Sequence, residues 1–391
     1  MTRRHPHRVL VAGGAVGRFG RHLDRSLADI AGEAIVAAVA AARVARSNIA
    51  AAFVGNAFGG VIIGQESILA QTLLAPAGIA GIPMRTIKNA CSSGADAVHL
   101  GWSAIAYGQY DCVLVLGAEK LTHEDRTRAF TALASATDHA PMGEGRSVFV
   151  DVNAGRARHY MQQYGATREH FARIAVKNRT HAGLNERAAE RKPVTVEEVL
   201  ADRVVVEPLT RAMCGGISDG AACVILVSED FAARRGLSGT SEIAASSVVS
   251  GLPSGSEGGS ATHRAARGAY ESSGIDPRDI AVAEVHDPTS PQELFDIEDL
   301  SFCGRGEAIR LLEDGDTQIG GRIPVNTSGG LTSRGHPVGA TGVAQIVEIH
   351  EQLTGRAGAR QVAGARVGLA QMAGGLLGGD SAVAAVHLLS V

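Results

Sequence analysis

Short apolar runs alternate with amphipathic stretches along most of this chain. Val9–Ala12 and Ala51–Gly55 read as strands. Ser26–Ala42 reads as a helix with Leu27, Ile30, Ala34 and Val39 near one face. Ile68–Leu74 reads as a helix and Met84–Ala90 as a strand that delivers Cys91. Ser92–Gly108 reads as a helix and Cys112–Gly117 as a buried strand. This order predicts an α/β fold with a mostly parallel sheet covered on both faces. Residues 120–215 break the rhythm with charged helices such as Arg168–Arg179 and long loops, which predicts an insertion over one face. Ala221–Val227 returns to strand. A second alternating series starts near Ser241, with strands at Ile243–Val249 and Ile280–Val285 and helices at Ala261–Ser272, Gln292–Phe302 and Gly342–Leu353. Val367–Gln371 and Ala382–Leu389 read as closing strands. The repeated order predicts two similar halves, 1–235 and 240–391, with the insertion at about 120–215 inside the first.

Composition narrows the function classes. The chain has 391 residues, of which 45% are hydrophobic and 4% aromatic, so Ala, Val, Gly and Leu build the core and packing is backbone-close. With 37 basic and 40 acidic residues in mixed order and no basic stripe, nucleic acid is not expected as a partner. No run has the length and purity of a membrane helix. The basic start and the apolar run from Val9 to Val16 resemble a signal peptide, but Gly13, Gly14 and Gly17 interrupt it and a first strand is the better reading. The five cysteines, Cys91, Cys112, Cys214, Cys223 and Cys303, are odd in number and lack zinc-site spacing. A reducing cytoplasm fits, and no metal site is expected.

Three segments could carry chemistry. In Asn89-Ala90-Cys91-Ser92-Ser93-Gly94 the cysteine stands between a strand and a helix start. There free N–H groups and the helix dipole favour a thiolate and an acyl oxyanion; the bland alternative is a buried structural cysteine, at roughly even odds. Glu284-Val285-His286-Asp287-Pro288 ends a strand in an ionisable pair. His286 could donate a hydrogen bond or move a proton, although a surface turn with Asp287 capping the next helix is favoured at about two to one on that motif alone. The third runs from Asn326-Thr327-Ser328-Gly329-Gly330 to Gly335-His336-Pro337-Val338-Gly339-Ala340-Thr341-Gly342. Its glycines shape backbone for close approach, and His336 near a helix start is placed to act on a thiol.

Other matches carry less. Gly216-Ile217-Ser218-Asp219-Gly220 has the letters of a nucleophile elbow, but a strand follows it where a helix is needed. Gly14-Ala15-Val16-Gly17-Arg18-Phe19-Gly20 lacks the glycine pair of a dinucleotide loop. Cys223 in its apolar strand reads as core, and Cys214 carries no motif.

Together the three segments resemble the thiolase superfamily across essentially the whole chain, from Arg8 to Leu389. The Cys91 segment, Gly117-Ala118-Glu119-Lys120 and the histidine loop carry the match. His286-Asp287 is similar to the sterol-carrier-protein-type branch and to archaeal acetyl-CoA acetyltransferases. The resemblance implies a five-layer αβαβα fold of two similar halves, with the insertion sheltering coenzyme A. It implies an acyl-CoA substrate, no permanently bound cofactor, and dimers or tetramers. It also implies that Cys91 carries the acyl group, that His336 activates it, that His286 binds the second thioester oxygen, and that a backbone N–H around Ala373 and Gly374 completes the oxyanion hole.

Two departures stand out. The family's acid/base cysteine lies either in a C-terminal Cys-x-Gly loop, where this chain has Gln371-Met372-Ala373-Gly374-Gly375, or just after His-Asp, where it has Pro288. The resulting set of one cysteine and two histidines is similar to that of decarboxylating ketosynthases. The leading expectation is a cytoplasmic acetyl-CoA acetyltransferase or 3-ketoacyl-CoA thiolase of lipid metabolism. A condensing acyltransferase on a specialised acceptor, a subunit working with a small OB-fold, zinc-ribbon partner, and a non-catalytic acyl-CoA-binding subunit stand as alternatives.

Overall fold

The computed structural model describes residues 6–138, 147–253 and 256–391. The basic residues at the extreme N-terminus and positions 139–146 of the insertion lie outside them. The first half contributes β1 (Val9–Val16), α1 (Leu27–Ala42), β2 (Ala51–Gly55), β3 (Met84–Ile87), α2 (Ser93–Ala106) and β4 (Cys112–Glu119). The insertion carries α3 (Val148–Tyr164), α4 (Arg168–Gly183) and a short ribbon of Val204–Val206 with Leu209–Thr210. Then follow β5 (Gly220–Ser228), β6 (Ser241–Ser250), α5 (Ala261–Ser273), β7 (Val282–Glu284), α6 (Ser290–Asp299), α7 (Val338–Leu353), β8 (Val367–Gly374) and β9 (Val383–Ser390).

The strands lie in the order β3-β2-β4-β5-β1-β6-β9-β8-β7. Among the described residues the strands of the two halves pair at only two positions, Leu10 with Glu242 and Val11 with Ser241. Helices α2 and α7 pack against strands of both halves and form the middle layer. Helix α1 covers the outer face of the first sheet and α5 that of the second, which gives five layers, αβαβα. Four apolar clusters fill the interior, the smallest of them around Cys91.

The sheet is mixed rather than mostly parallel. Only β2–β3, β2–β4 and β7–β8 are parallel. The long insertion returns β5 antiparallel to β4, and the short link from β8 to β9 permits only an antiparallel pair. Strand β1 continues through Gly13 and Gly14, with a bulge at Ala12 against β5. A Cβ on Gly13 would stand 2.5 Å from the Ala42 backbone nitrogen, and one on Gly14 would stand 2.7 Å from Val347 Cγ2. These glycines let α1 and α7 approach the strand closely; they do not interrupt it.

Candidate active site

Cys91 sits in a tight turn between β3 and α2. Ala90 before it has φ 47°, a left-handed conformation that costs energy in a residue with a Cβ. Ser93 stabilises the turn: its hydroxyl donates to Ala90 O (2.7 Å) and accepts from Asn89 N (2.8 Å). The strand therefore ends at Ile87, short of the expected Ala90, and the turn points the thiol toward the middle of the molecule. Burial pushes the Cys91 thiol up to about 12. The N–H groups of Gly375 and of Cys91 itself work in the opposite direction, and the Glu119 carboxylate adds to the rise.

His336 reaches the same place from the other half. Helix α7 crosses α2 and the end of β4 through glycines. A Cβ on Gly94 or Gly117 would lie 2.5 or 2.4 Å from Gly339 O, and one on Gly342 would lie 2.4 Å from Ala95 N. Larger residues would push the two helix starts apart. Ser218 Oγ accepts from His336 N (2.8 Å), so the serine of the rejected elbow motif anchors the histidine loop. Thr341 fixes the imidazole. Its hydroxyl donates to Pro337 O (3.0 Å), so at its 2.8 Å contact with His336 Nδ1 it can only accept. The proton is then on Nδ1, and Nε2 presents a lone pair. Burial, His286 and Arg334 all hold this imidazole neutral.

His286 follows β7. Its N–H donates to Gln371 Oε1 (2.8 Å), while Gln371 Nε2 donates to Thr262 Oγ1 (3.0 Å). Gln371 therefore holds the His286 backbone. Asp287 does not cap α6. It accepts from Leu331 N (2.7 Å), Asn178 Nδ2 (2.9 Å) and Thr332 Oγ1 (3.2 Å), which ties the His286 segment to the histidine loop and to α4. Asn326, at φ 58°, binds Val285 N through Oδ1 (2.9 Å). Burial pushes His286 down to about 3.

The three side chains converge. One ligand-type atom from each of Cys91, His286 and His336 lies within 4.8 Å of the other two. The imidazole centroids are 5.3 Å apart, edge to face. Neither Nε2 atom has a hydrogen-bond partner among the described residues. All three line a cavity of about 260 Å³ walled by Phe130, Leu133, Phe149, Val150, Ile217 and Leu376. Ala373 and Gly374 line it as well, and so does the next residue, Gly375, whose N–H works to lower the thiol. Pro288 and Cys214 also face this cavity. A thiol, a lone pair able to take its proton, a second imidazole and backbone donors in an apolar cleft suit nucleophilic acyl transfer.

The pattern of the thiolase N-terminal domain matches residues 9–230, and that of the thiolase C-terminal domain-like family matches residues 256–387. This chain belongs to the thiolase family. The acetyl-CoA acetyltransferase of Methanothermobacter thermautotrophicus is 40% identical over 388 residues, covering 98% of this thiolase and 99% of the relative. Human sterol carrier protein 2 is 36% identical, covering 93% of this chain and 69% of its own. The benzoylsuccinyl-CoA thiolase subunit BbsB of Thauera aromatica is 36% identical, covering 79% and 81%. Among solved structures, the Ltp2-ChsH2(DUF35) aldolase superposes with a TM-score of 0.81 at 25% identity, covering 99% of this thiolase and 98% of that chain. The five-layer fold and the acyl-CoA C-acyltransferase class read from the sequence agree with these findings.

Several supporting residues carried no sequence signal of their own. Ser218 lies in a motif set aside for another reason, and Thr341, though inside the His336 segment, has no role of its own in the sequence reading. Gly375 was signalled only as one of two adjacent glycines; its φ of 65° marks it in the fold.

Proposed function

We propose that this thiolase transfers acyl groups between coenzyme A thioesters by Claisen condensation, or cleaves 3-ketoacyl-CoA in the reverse direction, through an acyl-Cys91 intermediate. The convergence of Cys91 with two imidazoles whose Nε2 atoms are free carries this reading. Cys91 Sγ attacks the donor carbonyl as its proton passes to His336 Nε2. The N–H groups of Gly375 and Cys91, which work to lower the thiol, hold the oxyanion in this reading, with Ala373 and Gly374 shaping the strand end behind them. Coenzyme A leaves as the thiol, taking the proton from His336. His286 Nε2 then donates to the second thioester oxygen. Pro288 and Gln371 stand where an acid/base cysteine would, so His336, again neutral, is the group left to take the acceptor's α-proton. The enolate attacks acyl-Cys91 and releases product and thiol. In this reading residues 1–235 and 240–391 are the two halves of one catalytic unit that assembles into dimers or tetramers. The substrate is the only coenzyme A-bearing group required. Five free cysteines suit a reducing cytoplasm.

Intact-protein mass spectrometry after brief incubation with acetyl-CoA or acetoacetyl-CoA tests this reading. One acyl mass on wild type and none on Cys91→Ala is the expected result; no acylation from either donor overturns it. The missing cysteine favours a second reading, in which the chain needs a small OB-fold, zinc-ribbon partner. The DUF35-containing aldolase fits it, and acylation that appears only on adding such a partner would select it.

A further inference from the structure

Glu119 ends β4 and is fully buried. Its Oε1 accepts from Asn56 Nδ2 (2.9 Å) and Phe58 N (3.1 Å), and its Oε2 from Ala57 N (2.8 Å) and Gly339 N (3.0 Å). Among the described residues four donors and no acceptor surround it, which leaves a protonated carboxyl no partner for its own O–H. The shell is built for an anion, although burial pushes the group up to about 7. Asn56, Ala57 and Phe58 follow β2, while Gly339 lies in the first turn of α7, three residues after His336. A carboxylate at that helix start also meets the positive end of the dipole.

Few other charges face this group. Cys91 and Lys88 do, and Lys88 is itself paired with Glu66 (2.7 Å). Lys120, next in sequence, turns to His22 O and Asp219. Around Cys91 the other titratable groups are His286 and His336.

We propose that Glu119 is a positioning residue that also acts electrostatically. Its carboxylate fastens the His336-bearing helix to the first sheet, and its charge adds to the burial that holds Cys91 as a thiol until an acyl donor binds. The proposal rests on Cys91 as the nucleophile and His336 as its base. At rest the pair is neutral thiol and neutral imidazole. The S–H proton moves to His336 Nε2 only as the Sγ–C bond forms, and it leaves with coenzyme A. A resting thiolate, open to oxidants and alkylators, is avoided.

The test reads alkylation of Cys91 by iodoacetamide as a function of pH, followed by intact mass with Cys91→Ala as background. It needs no acyl donor. Glu119→Gln removes the charge that raises the thiol, so more thiolate is present at a given pH. The variant-to-wild-type rate ratio is then expected to rise from about 1 at pH 5.5 to about 10 at pH 8.5, turning near the carboxyl's own titration. Glu119→Asp, which keeps the charge but shortens the reach, leaves the ratio flat while slowing acylation by acetyl-CoA. A ratio for Glu119→Gln that does not change with pH would overturn the proposal, because looser packing exposes the thiol equally at every pH. Should Glu119→Gln fail to fold, the wild-type curve decides: log rate against pH bends below unit slope around pH 7, whereas a straight line of unit slope refutes the coupling. A rising ratio in a protein that acetyl-CoA never acylates would establish the coupling of Glu119 to Cys91 while removing the acyltransfer reading.

Discussion

Gly339→Ala tests how rigidly the crossing of the two helices sets the site. The added Cβ would stand 2.7 Å from Gly55 O, 2.8 Å from the Asn56 Cα and 3.0 Å from Ala118 O. All three are backbone atoms, so no side chain can swing away. Ordinary van der Waals contact begins near 3.4 Å, so the start of α7 has to back off by about 0.7 Å to restore it. Overpacking of this kind costs about 1–3 kcal/mol, and alanine's helix preference returns only part of it. His336 moves with the helix start, and displacement on the order of 1 Å at a reacting group costs roughly 10²-fold. We expect a folded protein, about 1–2 kcal/mol less stable in urea, whose single-turnover acylation by acetyl-CoA is slowed about 10- to 100-fold. Gly32→Ala is the control. Gly32 lies within α1 with no heavy atom within 4 Å of a Cβ, so alanine there should add about 0.5–1 kcal/mol and leave acylation unchanged. Acylation by Gly339→Ala within twofold of wild type would refute the claim that the glycine crossing positions His336.

Two further predictions concern the departures from the family pattern and the buried histidines. Pro288→Cys places a thiol on the cavity wall while keeping the carbonyl that accepts from Gly215 N (2.8 Å). Exchange of acetyl-CoA α-protons with D₂O should then accelerate at least about tenfold, at the low end of acid/base contributions, and no change would mean that proton abstraction is not what the wild type lacks. His387 is buried beside Ser246 (2.9 Å), which also contacts His99, and burial pushes it down to about 3. Because its folded value lies below the unfolded one of about 6.5, the unfolded chain binds the extra proton in between. The stabilisation is present above that unfolded value and is lost as pH falls toward 3, by up to about 1.4 kcal/mol per pH unit. His387→Gln should make the fall in urea-derived stability between pH 7 and 4.5 shallower by up to that slope, and an unchanged slope refutes it.

The sequence by itself determined the features written in short spans of chain. Apolar runs between turn residues placed most strands within a few positions, because each buried strand needs its own apolar residues. Cys91 was legible from its place between a strand and a helix start, and His336 from the glycine loop around it. His286 was weaker, since a His-Asp pair at a strand end serves equally well in a turn. The tertiary structure decided the rest. Whether strands run parallel depends on which neighbours they meet, so the antiparallel centre of the sheet was not readable from local pattern. The tautomer of His336 depends on where one threonine proton goes. The partner of His286 N is Gln371, 85 residues away, and the donors to Glu119 come from positions about 60 and 220 residues distant. Hydrogen bonds across such separations leave no periodic trace in a chain. They exist only once α2 and α7, packed through their glycines, have brought the two halves together.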